Sequence, residues 1–69
     1  MLDIITPNGY KATSDGECIT ISSQTGTTLL SYHPLQAEVI WGFHSEATIF
    51  ALREDLAYVR KLLTHTFVE

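Results

Sequence analysis

Cys18, His33, His44 and His65 are the residues of this sequence with the chemistry of a soft metal site or an activated nucleophile. A zinc site presents thiolate and imidazole ligands at short fixed spacings, so that one or two elements hold them together. These four form no CxxC, no HxxxH and no HExxH. Only a site assembled in space would remain. A Cys–His nucleophile needs a positioned base, a third group to orient it and a cleft for substrate. Cys18 instead alternates with the hydroxyls of Thr20 and Ser22, and reads as a small structural cysteine.

The other constellations are no stronger. Glu54 and Asp55 are adjacent carboxylates, but neighbours on a helix do not face each other and cannot converge on one substrate. Gly9, Gly16, Gly26 and Gly42 make neither GxGxxG nor the GK[ST] ending of a phosphate loop. Trp41 and Phe43, with Tyr10 and Tyr32, have the rings of a base-stacking platform but lack interleaved Lys or Arg. Core packing is their expected role. No catalytic, cofactor or metal residue is assigned, and the expectation is a protein without chemistry of its own. A metal-dependent or thiol enzyme stands as the remote alternative.

The charges narrow the partners. Four basic residues face eight acidic ones, and between Lys11 and Arg53 the only charges are Asp15, Glu17, Glu38 and Glu46. Nucleic-acid binding needs Lys and Arg to displace counterions from phosphates, so direct DNA or RNA binding is disfavoured. An acidic surface favours a basic protein partner, although a net charge of −4 also simply keeps a small protein soluble. No apolar run approaches the roughly 18 residues of a membrane span. The N-terminal MLDIITPNGYK has no signal-peptide character, and Cys18 has no disulfide partner in the chain. A cytoplasmic protein of the producing or host cell is the expectation.

The elements that position these residues fall into two halves. With 69 residues there is room for one core. Residues 1–43 are rich in β-branched residues, Thr and Ser, punctuated by Asn8-Gly9, Asp15-Gly16 and Gly26. Residues 2–6 and 10–14 predict a hairpin. Ile19 and Ile21 alternate against Cys18, Thr20 and Ser22, and Leu30 and Tyr32 against Leu29 and Ser31. These two segments predict a second hairpin, closed through Gln24–Gly26. Residues 34–43 are ambiguous. Pro34 with Leu35–Glu38 suits a short helix, but Val39, Trp41 and Phe43 alternate against Glu38, Ile40 and Gly42. The strand is preferred.

From Ser45 the run SEATIFALREDLAYVRKLLTH has helical periodicity. Ser45 is the N-cap, Glu46 complements the positive end of the dipole, and Arg60, Lys61 and His65 the negative end. Ile49, Leu52, Leu56, Val59 and Leu63 form one stripe for the sheet, with Phe67 in line. Arg53 and Arg60 border it as solvated charges. Beside it lies a second stripe of Ala51, Tyr58 and Leu62, with Ala47 at its edge and Asp55 inside the combined arc. Either a curved sheet consumes both stripes and leaves Asp55 at the rim, or the second stripe meets another chain.

The expected architecture is therefore α+β: an antiparallel sheet of three to five strands, covered on one face by a single long C-terminal α-helix. The expected function is a small protein-binding regulator or inhibitor, of the kind phages and other mobile elements encode. A homodimer through the helix is its companion, and a structural or assembly subunit the alternative. Ala51, Asp55, Tyr58, Leu62, Glu38 and Glu46 are the candidate interface residues.

Overall fold

The computed structural model describes residues 2–15 and 17–67, with side chains as far as residue 64. Five strands run in chain order, β1 (Leu2–Ile5), β2 (Lys11–Ser14), β3 (Ile19–Ser22), β4 (Thr28–His33) and β5 (Gln36–Ile40), followed by α1 (Glu46–Phe67). The strands form one antiparallel meander in which each pairs with the next. The fold is α+β, as the pattern predicts.

Two hairpins close by the same device. Gly9 N–H donates to Thr6 O at 2.9 Å and Gly26 N–H to Ser23 O at 2.9 Å, each glycine at positive φ. Thr6 N–H then bonds Tyr10 O, and Ser23 N–H bonds Thr27 O. These are type I turns followed by a left-handed residue, and glycine adopts that conformation at no steric cost.

Register places one apolar residue of every strand in a single row, Ile4–Ala12–Ile21–Leu30–Ile40. A second row, Leu2–Ser14–Ile19–Tyr32, runs beside it. Because side chains alternate across a strand, both rows face one side, and α1 covers them. Leu52, Leu56 and Val59 are buried against Ala12, Ile19, Ile21 and Leu30, with Leu63 packed at the margin and Ile49 half-buried. Replacing one of these core leucines with alanine would cost about 2–5 kcal/mol. The Asp3–Thr13–Thr20–Ser31–Val39 row faces the other side, uncovered by any described element.

At the start of α1, Ser45 Oγ accepts from Thr48 N–H at 3.2 Å, the expected N-cap bond. His65 and Phe67 fall within α1, but their side chains lie outside the described residues.

The stretch 34–43 needs correction in extent and orientation. Pro34 and Leu35 form a turn, and the strand itself covers only Gln36–Ile40. Ile40 faces the core row, so the alternating Val39 and Trp41 face outward, at 44% and 53% exposure. Phe43, beyond a turn at Gly42 (φ +84°), is fully exposed. Trp41 and Phe43 are therefore not core residues.

Candidate functional site

The two flanks of α1 are held to the sheet by different chemistry. On one flank Asp55, 1% exposed, meets the β1–β2 turn. Thr6 Oγ1 donates to Asp55 Oδ2 at 2.6 Å, and Asn8 Nδ2 donates to Asp55 Oδ1 at 2.8 Å. The Thr6 hydroxyl also accepts from Tyr10 N–H at 3.0 Å, and Asn8 Nδ2 reaches Ala51 O at 3.3 Å. A buried polar group is tolerated when its hydrogen bonds are made, and here both carboxyl oxygens accept. Asp55 is thus not a rim residue facing a partner, because it is buried with both oxygens hydrogen-bonded inside the chain.

On the other flank the contacts are wet. Arg53 Nε donates to Glu38 Oε1 at 3.0 Å, with 60% and 30% of the two side chains exposed. The Arg60 guanidinium sits over the Tyr32 ring, 5.0 Å from its centroid. These pairs tie α1 to β5 and β4. The bordering arginines are spoken for, but by contacts that water and salt screen.

The candidate interface residues divide accordingly. Ala51 and Leu62 are half-buried by their own protomer, and Tyr58 is 40% exposed. The helical second stripe is therefore partly consumed by the sheet, with Tyr58 its most open member. Glu38 is half-buried and paired with Arg53, while Glu46 is exposed in the first turn of α1.

The largest exposed apolar side chains lie elsewhere. Leu35 (88%) precedes β5, Trp41 (53%) and Phe43 (105%) follow it, and Phe50 (70%) lies near the start of α1, while Ile5 (61%) stands exposed at the end of β1. The loop carrying Trp41 and Phe43 is ordered by polar bonds. Trp41 N–H donates to Leu29 O and its indole Nε1 to Ser31 Oγ at 3.2 Å, while His44 Nε2 donates to Trp41 O at 2.6 Å. Sequence periodicity shows that Val39, Trp41 and Phe43 share a stripe. It carries no signal of which stripe turns outward.

Register brings Cys18 and His33 to one end of the open face, where both line a shallow hollow with Thr20 and Ser31. His33 Nδ1 accepts from Leu35 N–H at 3.1 Å, which removes that nitrogen as a base for the thiol. Asp15 Oδ1 accepts from Cys18 N–H at 3.0 Å and Glu17 N–H at 3.1 Å. Those backbone donors hold the Asp15 carboxyl below its ordinary 3.8, with a further contribution from His33. The carboxylate closes a turn and does not orient the imidazole. Among the described residues no group of three or more His, Cys, Asp or Glu is placed to hold a metal ion, and no helix is long and apolar enough to cross a membrane.

Comparison with known proteins returns no match: no family model, no curated protein and no solved structure is similar to this chain.

Proposed function

We propose that this chain is a non-enzymatic protein-binding module, a small regulator or inhibitor that works by covering a surface of another protein. One observation carries the reading: Trp41, Phe43 and Phe50 stand exposed within residues 41–50, on a loop and helix start fixed by hydrogen bonds. Aromatic side chains carry large contact area on few rotatable bonds, and buried aromatic anchors are enriched among the residues that dominate binding energy. Scattered apolar residues on a surface need no explanation, but three aromatics on one short ordered segment do. Exposed Asp3, Asp15, Glu17, Glu46 and Glu54 favour a partner with a basic surface. Tyr58 offers a secondary contact on the opposite flank of α1. Homodimerisation is the companion of this reading, and the cytoplasm the compartment it implies.

The test compares proteins retained from host lysate by the immobilised chain and by a Phe43→Ser/Phe50→Ser variant. Both residues are exposed, so the variant keeps its fold by circular dichroism. Specific partners are expected on the first and not on the second; identical retention on both overturns the reading. Retention that weakens with salt supports the acidic regulator. Salt-insensitive retention of a large complex favours the alternative, an assembly subunit, which the same aromatic surface also suits.

A further inference from the structure

The free edge of β5 carries an inference about a second copy of this chain, and it rests on the reading above that the exposed apolar surface is docking surface. Val39 sits opposite Ser31, and Trp41 N–H donates to Leu29 O. By the alternation of an antiparallel ladder, the backbone N–H and C=O of Glu38 and Ile40 then point away from β4, where no described strand meets them. Edge strands are ordinarily guarded by Lys, Pro or a bulge. Here the strand has no basic residue or proline, and its one charge, Glu38, is paired with Arg53. The ladder irregularity lies toward Gln36 and leaves Glu38–Trp41 regular. The other edge, β1, is four residues long and carries the charged Asp3 beside exposed Ile5 on its open face.

The side chains at this edge match the backbone. Ala37, Val39 and Trp41 are all exposed, an apolar stripe on the face that the neighbouring strands fill with Thr and Ser. Phe50, on the side of α1 turned away from the sheet, lies outside this edge. Counting about 200 Å² for a whole aromatic side chain and less for Leu and Val, Leu35, Val39, Trp41 and Phe43 expose on the order of 500 Å² per protomer. Two copies bring about 1,000 Å², the size at which a biological interface begins.

We infer that β5 pairs antiparallel with β5 of a second copy across a two-fold axis at Val39, joining the two five-stranded sheets into one. In that register Glu38 lies opposite Ile40, Trp41 opposite Ala37, and Val39 opposite itself. The large indole meets a small residue, and the two Glu38 side chains are not brought face to face. The pairing satisfies the outward N–H and C=O groups of Glu38 and Ile40. A symmetric contact of this kind closes after two copies, whereas β5 on β1 would grow without end.

Sedimentation velocity on the purified chain, from about 1 to 500 µM, spans weak to moderate dimers. A reversible monomer–dimer equilibrium is expected, and the emission of Trp41, the sole tryptophan, shifts to the blue as dimer forms. Val39→Lys places like charges across the axis at a residue outside the core, and raises the dissociation constant at least about tenfold with the circular dichroism unchanged. Tyr58→Asp, on the other flank of α1, leaves the dimer intact. Monomer throughout the range, growth beyond two copies, a dimer untouched by Val39→Lys, or one dissolved by Tyr58→Asp each overturns the inference. The lysate capture reads partners other than the chain itself, so the binding-module reading can stand where this one falls.

Discussion

The two flanks of α1 solve one problem in opposite ways. Toward β1 the helix is fastened by a buried carboxyl group with both oxygens hydrogen-bonded; toward β5 it is fastened by an exposed ion pair and an arginine over a tyrosine ring. Buried polar networks rigidify a structure when complete and cost heavily when one member is lost. Exposed pairs contribute little either way. The difference indicates where a partner has room. Near β1 the buried polar groups leave one large apolar side chain, Ile5, in solvent, whereas near β5 the aromatic Trp41 and Phe43 stand exposed.

The sharpest way to break this contrast is to remove its buried member. Asp55→Ala leaves the buried Thr6 hydroxyl without its acceptor and takes one of two partners from the Asn8 amide, and is expected to lower the unfolding free energy by about 3 kcal/mol in urea titration. Thr6→Val deletes one donor but keeps the shape, so about 1–2 kcal/mol is expected in the same titration. On the β5 side, Ser45→Ala removes the helix cap, at about 1 kcal/mol by thermal melting. Arg53→Ala is expected to cost below about 0.5 kcal/mol, an effect that fades in high salt. A loss for Arg53→Ala equal to that for Asp55→Ala would erase the distinction between the flanks.

The smallest effect lies at the β2–β3 turn, away from both flanks. Asp15 is held below 3.8 by the Cys18 and Glu17 N–H groups. A group with a depressed folded value contributes stability that is present above its unfolded value and lost as pH falls through the folded one. Its side-chain carbon resonance should therefore titrate below 3.8. In Asp15→Asn, the stability difference from the parent should shrink as pH falls below that range. A midpoint at or above the ordinary value would sever the link between this turn and its backbone bonds.

Much of the architecture was legible because its causes are local. Asn8-Gly9 and Gly26 dictate tight turns, alternation in Ile19–Ser22 dictates a half-buried strand, and Ser45 dictates where a helix begins. The stripe from Leu52 to Leu63 is a property of helical geometry and needs no partner to be seen. The candidate site was harder to read. Ala51, Tyr58 and Leu62 were visible as a stripe, but how much of it the sheet would cover depends on curvature and on where α1 crosses.

The sequence by itself determined which residues lie on the same side of each strand and of the helix, since those periods follow from bond geometry. Tertiary structure alone decided which side of β5 looks inward, because a period of two is blind to direction and Ile40 is turned by its place beside Leu30. It alone also decided that Asp55 is buried, through Thr6 and Asn8, whose positions 49 and 47 residues away leave no local trace.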